Sequence, residues 1–415
     1  MGQDKRKSME GYKKAVLLSH QVPSPASSAV QSLISTSSTL NTSLAPLLPF
    51  VVFRPIQPQA KMRSTCLVAA LAGLAYAAPR PSPQFINFDE FDAAEVPAAT
   101  GPAPEAVSEP VTYSEPAAKA DAAAEVTQKL STPSKRSLAA RGVNDPCSPQ
   151  PDGYGPKPPV DTDTDFLTFS NFSDAATSAP TPQGYSLSFS NQQASVSLNS
   201  YLGLYTLKTY DTIKCQQLCD AANLCSAFNI YFERDPTLAP AEACPKPAAF
   251  TNIKCTLWGS PVTPESAKNQ GQYRRDFHVV IAGSNGYSKN NPPNAEPGFT
   301  GPEAFGGAIN APNSYIGQKF FAGPYDAGQC AGACQANTAY NRRHPRADGT
   351  YDACNFYNVY LLSKNNEPQG TYCSLYTKAW EKKYSTNYGQ YRGSDYYSVS
   401  SSYGFTLAPQ DPGRI

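Results

Sequence analysis

Residues 210–219 (YDTIKCQQLC) and residues 325–334 (YDAGQCAGAC) share one pattern of an Asp and two cysteines, from which the architecture can be inferred. In both stretches an Asp precedes two cysteines that are four positions apart. An Asp side chain can cap the first turn of a helix, and positions four apart lie on one helix face. The pattern therefore predicts short helices at about 212–222 and 327–336, each turning two cysteines toward one neighbouring surface.

The sequence around the two stretches also matches, which indicates an internal duplication. Residues 225–231 (CSAFNIY) correspond to residues 354–360 (CNFYNVY). Further matches follow in the same order: 184–185 with 298–299, 201–203 with 315–317, 255–258 with 373–376, 272–274 with 390–392, and 286–287 with 404–405. An insertion near 341–350 lengthens the second copy. We therefore expect a first module at 184–290 and a second at 298–406.

Each copy is expected to form one helix packed on an antiparallel sheet. Runs rich in β-branched and aromatic residues predict strands at 226–232, 255–259 and 277–282, and at 355–361, 373–377 and 396–400. A domain of about a hundred residues has a thin hydrophobic core, and disulfides can compensate for this. The expected fold class is α+β, with two tandem disulfide-stapled modules behind a disordered N-terminal region.

The duplicated pattern resembles the PAN/Apple domain: a helix with Cys-x-x-x-Cys, then Cys-x-x-Phe/Tyr, then Cys-x-Leu-aromatic. Residues 227–236 and 279–287 look similar to secreted fungal proteins with tandem Apple-like modules, which are usually described only as cell-surface or carbohydrate-binding-like. The resemblance covers residues 184–406. The second copy departs from it in the long insertion between Cys334 and Cys354.

The resemblance also implies how the cysteines pair. Carried over, it gives the pairs Cys215–Cys255, Cys219–Cys225, Cys330–Cys373 and Cys334–Cys354. Sequence alone leaves three pairings open within each set of four, although a bond between the two cysteines of one helix is geometrically poor. Cys147 and Cys244 remain, and pairing them would attach the N-terminal part of the body to the first module.

Residues 62–77 have the features of a signal peptide: Arg63, then an apolar run, then Ala75, Tyr76 and Ala77 at the cleavage positions. A buried helix is the alternative. Residues 1–61 are rich in Ser and Pro, and we expect a disordered extension that is a gene-model artefact or an unusually long N-region. Loss of Cys66 with the signal would leave ten of the 11 cysteines, an even number that suits a secreted disulfide framework.

Residues 78–136 are acidic and rich in Ala, Pro and Glu, which predicts a disordered propeptide or linker. The segment ends at Lys135 and Arg136, a dibasic pair of the kind that kexin-type proteases cut. Cleavage there would leave a mature chain whose N-terminal part spans 137–183. No membrane span is expected in that chain. A solvated, uncut pair is the alternative.

The composition gives little support for catalysis, metal binding or nucleic-acid binding. Lys and Arg total 34 against 33 Asp and Glu, and the chain has only 3 His. Asp161, Asp163 and Asp165 hint at a calcium loop, but Phe166 stands where such a loop needs Gly. No nucleophile elbow, phosphate-binding loop or dinucleotide fingerprint appears. We expect no catalytic, cofactor or metal site.

Recognition is the remaining function class. Aromatic side chains bind sugar faces and proteins with little entropy loss, so five are candidate contacts unless they are core residues: Tyr231, Trp258, Tyr360, Tyr376 and Trp380. Glu233, Arg234 and Asp235 are interpreted as a structural charge cluster, and Asn171 begins a glycosylation sequon.

We therefore expect an extracellular, non-enzymatic protein that binds a glycan or a protein at the fungal cell surface or wall. Two modules could add avidity for a repetitive polymer. The alternatives are a structural or adhesive wall protein without a ligand pocket and, less favoured, a secreted hydrolase with an unrecognised site.

Overall fold

The computed structural model describes residues 85–127, 145–151 and 153–415. The expected extension at 1–61, the signal peptide at 62–77 and the dibasic pair Lys135–Arg136 lie outside these residues.

The N-terminal segment (residues 85–127) is folded onto the rest of the chain. It contains helix α1 (Asp89–Ala93), strand β1 (Ser108–Glu109) and helix α2 (Glu115–Thr127). The prediction of disorder over 78–136 is therefore wrong for these residues. The segment has few large apolar residues, but its Ile86, Phe88 and Ala122 are buried against the second module, which supplies the hydrophobic surface that the segment lacks by itself.

The first copy of the repeat, called repeat 1, follows helices α3 (Asp163–Thr168) and α4 (Ser170–Ser178). Its elements are β2 (Tyr185–Gln192), β3 (Ser195–Val196), β4 (Tyr201–Leu207), α5 (Thr212–Ala221), β5 (Ala227–Pro236), β6 (Ala249–Trp258), β7 (Ala267–Asn269), β8 (Gly271–Arg274) and β9 (Phe277–Lys289). The main antiparallel sheet has the order β1-β4-β6-β5-β9-β2, with β8 paired to β9.

The second copy, called repeat 2, has the same topology. Its elements are β10 (Phe299–Ala304), β11 (Tyr315–Ala322), α6 (Ala327–Arg343), β12 (Phe356–Lys364), β13 (Glu367–Tyr376), β14 (Gly389–Arg392) and β15 (Asp395–Leu407). The sheet order is β10-β15-β12-β13-β11, with β14 paired to β15. Beginning with β11, the order β11-β13-β12-β15-β10 corresponds strand by strand to β4-β6-β5-β9-β2 of repeat 1. The structure is thus α+β, with two equivalent antiparallel sheets.

Both signature helices begin at the predicted Asp. Asp211 accepts a hydrogen bond from the Lys214 backbone N–H at 2.9 Å, and Asp326 accepts one from Gly328 at 2.8 Å. Helix α5 has nearly its predicted length, but α6 continues to Arg343 instead of ending near 336. The insertion of the second copy extends this helix, and two arginines in its last turn complement the helix dipole.

All five expected disulfides are present, so the predicted pairing is confirmed: Cys147–Cys244, Cys215–Cys255, Cys219–Cys225, Cys330–Cys373 and Cys334–Cys354. In each repeat the first helix cysteine is bonded to the sheet and the second to the segment that follows the helix. The two bonds hold the helix against one face of the sheet, over the main hydrophobic core.

Candidate functional site

The five aromatic residues expected to contact ligand lie in the interior. Tyr231 and Trp258 have no exposed surface, Tyr360 and Tyr376 are 1% exposed and Trp380 is 8% exposed. The polar tips of three rings are bonded internally: Trp258 to Thr256, Tyr376 to the Ile309 carbonyl, and Trp380 to Ser314. The prediction that these rings contact ligand is wrong, because loops and the N-terminal segment cover the sheet face on which they lie.

Glu233, Arg234 and Asp235 lie in β5 and are all buried. Arg234 donates to Asp161 at 2.6 Å and to the His278 carbonyl at 2.8 Å, on one side of the sheet. Glu233 and Asp235 point to the other side, where the ammonium group of Lys254 lies between them, 3.7 Å from Asp235 and in direct contact with Glu233. These charges hold strands and loops together inside the molecule.

In this buried cluster two carboxyl groups share one ammonium group, and this ratio explains the pKa shifts of its members. Burial and the neighbouring Asp235 raise the pKa of Glu233 to about 8. Burial alone would lower the pKa of Lys254, but the attraction of both carboxylates outweighs it and the pKa is raised. Lys254 therefore stays charged, and Glu233 holds a proton in mildly acidic solution.

The three aspartates of the possible calcium loop bind different protein groups. Asp161 bonds Arg234, Asp163 bonds His278 Nδ1 at 2.7 Å, and Asp165 bonds Thr162. The hydrogen bond from His278 lowers the pKa of Asp163. In the described parts of the chain, no group of three or more His, Cys, Asp or Glu side chains is arranged to hold a metal ion.

An open cleft of about 470 Å³ lies where the two repeats meet, and this volume is in the range of small-molecule sites. Repeat 1 contributes the turn after α5 and Lys289, repeat 2 contributes the start of α6 and Tyr403, and the linker contributes Asn291–Glu296. Glu115 at the start of α2 closes one side. The cleft therefore exists only because repeats, linker and N-terminal segment are assembled together.

The cleft walls carry groups of opposite hydrogen-bonding character. Lys289 lies 3.0 Å from Asp220, and the lining also includes the carboxyl groups of Glu115, Glu296 and Asp326. Glu296 is paired with Lys119, and Asp326 is buried and accepts hydrogen bonds from within the fold. Burial, with Asp326 and Glu296 close by, raises the pKa of Glu115. Carboxylates accept hydrogen bonds, whereas the amides of Asn291 and Asn294 donate and accept them. Such walls suit a neutral ligand with many hydroxyl groups.

Tyr273 and Tyr391 occupy matching positions on β8 and β14, and both rings are largely exposed, at 69% and 73%. The Tyr273 ring stacks on His278 with centroids 4.2 Å apart, and the Tyr391 ring contacts Tyr396 at 4.8 Å. The sequence contained the signal for this pair, the repeated Gln-Tyr-Arg, which helped to define the duplication. Sequence reasoning gave this tripeptide no functional role.

Asn171, the expected glycosylation position, is exposed near the start of α4. Its side chain is therefore accessible to a modifying enzyme. Ala77, Lys135 and Arg136, the expected processing positions, lie outside the described residues.

Comparison with known proteins gives no relative on which to base a function: no protein-family model, curated protein or solved structure matches this chain. Among the described residues, no helix has both the length and the apolar character needed to cross a membrane.

Proposed function

We propose that this chain is a secreted, non-enzymatic binding protein that recognises a cell-wall glycan, and that its ligand site is the cleft between the two repeats. The observation that carries this proposal is the open cleft itself, with carboxylates, amides and an ammonium group on its walls. A sugar offers hydroxyl groups that both donate and accept, so it can satisfy this mixture without bringing a net charge.

The disulfides and the topology support the wider context of this proposal. Five disulfides suit an oxidising compartment, and therefore the secretory pathway and the extracellular space. One helix bonded to an antiparallel sheet, with the cysteine pairing that the resemblance implied, supports interpreting each repeat as an Apple-like module of a fungal surface protein. Protein ligands remain within the proposed class of partners.

A second candidate function, adhesion to an insoluble wall polymer without a defined pocket, is favoured by the exposed Tyr273 and Tyr391. Matching rings on two linked modules can stack on successive units of a repeating polymer and add avidity. The first function places binding in the cleft and the second on the two exposed tyrosines. Variants of each surface therefore distinguish the two functions.

The test is a soluble-oligosaccharide array with the full chain, followed by titration of the best ligand. Asn291→Ala with Asn294→Ala removes two amides from the exposed linker, and we expect affinity to fall at least tenfold, since each lost hydrogen bond contributes about 1 kcal/mol. Tyr273→Ala with Tyr391→Ala is the matched control and should bind normally.

Unchanged affinity of the cleft variant would refute the cleft as the site. Absence of saturable binding, together with retention on insoluble wall polymer that is lost in the tyrosine variant, would favour adhesion. Release of product from the oligosaccharide would identify an enzyme instead.

A further inference from the structure

The outer face of the repeat 2 sheet, opposite α6, carries a groove lined by aromatic and aliphatic side chains. Its lining residues are Phe320, Tyr360, Leu362, Tyr372, Tyr397 and Val399. Tyr360 and Tyr372 stack on each other with centroids 4.8 Å apart. This surface, here called the aromatic groove, is filled by the N-terminal segment.

The segment lies in the aromatic groove as a bound peptide would. Phe88 and Phe91, three positions apart, insert their rings: Phe88 contacts Tyr397 at 4.7 Å, and Phe91 contacts Phe320 at 5.0 Å. The backbone is held as well, because the Ile86 N–H donates to Gln390 Oε1 at 2.8 Å and the Tyr372 hydroxyl donates to the Asn87 carbonyl at 2.7 Å. The groove thus contacts both the apolar side chains and the backbone of the segment.

The rim of the groove is basic and matches the acidic residues of the segment. Lys319 Nζ lies 3.1 Å from both carboxylate oxygens of Glu90. Arg392 makes two parallel hydrogen bonds of 2.8 Å to Asp92, and its guanidinium group lies over the Phe88 ring at 4.2 Å. A bidentate arginine gives a carboxylate both position and orientation.

Repeat 1 offers an independent parallel. Arg274, at the position that matches Arg392, pairs with Glu105 of the same segment at 3.3 Å. The arginine of the repeated Gln-Tyr-Arg therefore holds a carboxylate of the N-terminal segment in both repeats. Between Cys66 and Cys147 the sequence contains no cysteine, so no disulfide bonds this segment to the repeats.

We propose that the aromatic groove is a peptide-binding site for acidic segments with two aromatic residues three positions apart, and that residues 86–92 occupy it as an intramolecular ligand. A partner peptide with the same pattern has to compete with this occupant, whose tether gives it a high effective concentration. This site is separate from the cleft between the repeats and does not depend on glycan binding there.

The test uses the full chain with a weakened occupant, Phe88→Ala with Phe91→Ala, and a fluorescent peptide of residues 85–96 in an anisotropy titration. We expect saturable binding at least tenfold tighter than to the unmodified chain, whose groove is filled. Adding Arg392→Glu should weaken this binding at least tenfold, whereas Lys383→Glu, on an exposed ion pair outside the groove, should not change it.

Equal binding to the unmodified and weakened chains, or a folded weakened chain that does not bind, would overturn the proposal. If the Phe variant fails to fold, Glu90→Gln with Asp92→Asn weakens only the two ion pairs at the rim and is used in its place. The same two comparisons then decide.

Discussion

Tyr231 and Tyr360 occupy equivalent positions on β5 and β12, and neither ring reaches solvent. Alternation along a strand assigns them to the face opposite the helix, which in an isolated two-layer domain would be exposed. The N-terminal segment covers this face in repeat 2, and loops cover it in repeat 1. The residue type therefore identified rings that are able to contact a ligand. It could not show which of these rings are buried by another part of the chain.

Lys254 is the residue on which the buried charge cluster depends. Lys254→Met leaves the carboxyl groups of Glu233 and Asp235 buried without their cation, so we expect a loss of about 3–5 kcal/mol in the free energy of unfolding, measured by urea denaturation at pH 7. Glu233→Gln removes a carboxyl group that burial already keeps from ionising. The loss of unfolding free energy should therefore be much smaller than for Lys254→Met.

Glu233→Gln should also change how the free energy of unfolding depends on pH. The pKa of Glu233 is about 8 in the folded chain and 4.5 in the unfolded chain, so its contribution to stability is fully present below pH 4.5 and is lost as the pH rises through 8. Glu233→Gln should flatten the dependence of unfolding free energy on pH across this window. An unchanged pH profile would show that Glu233 is ionised in the fold.

Helix α2 shows how one element depends on another. It packs on α6 at Gly332, where an added Cβ would lie 2.5 Å from the Lys119 carbonyl oxygen. Two helices can approach this closely only if one has a small residue at the contact. Composition correctly marked residues 115–127 as unable to form a core by themselves, but it could not show that α6 supplies the missing surface.

Gly332→Ala tests this contact. Alanine raises intrinsic helix propensity by about 1 kcal/mol, so a helix considered alone should gain stability. We expect the opposite, because the methyl group displaces the α2 backbone: faster hydrogen exchange at 115–127 and a lower melting temperature. Gln217→Ala, at the matching position of repeat 1, is the control and should change neither. Protection of α2 equal to that of the unmodified chain would contradict close packing of α2 on Gly332.

For the whole molecule, the N-terminal segment connects the two repeats. It adds β1 to the edge of the repeat 1 sheet, pairs with Arg274 and Arg392, and places α2 beside the cleft. A segment expected to be a disposable propeptide is therefore part of the folded body, with no disulfide to the repeats.

This arrangement predicts the result of cutting the chain at Lys135 and Arg136 with a dibasic-specific protease. The released N-terminal piece should co-elute with the remainder in size-exclusion chromatography, because the buried apolar residues and ion pairs of residues 85–127 still hold it. Arg274→Glu with Arg392→Glu should promote its dissociation. Separation of the two pieces from the unmodified chain at micromolar concentration would contradict the prediction.

Sequence patterns predicted the duplication, the two capped helices, the central strands and, through the resemblance, four of the five disulfides, which left Cys147 and Cys244 as the remaining pair. These features depend on local spacing: Asp before the helix, cysteines four apart, and β-branched and aromatic runs. Which sheet face is covered, how far α6 extends, and where the cleft and the aromatic groove lie depend on the packing of the whole chain. Those features arise from contacts between segments far apart in the chain, and no local pattern encodes which distant surface a weakly apolar segment will cover.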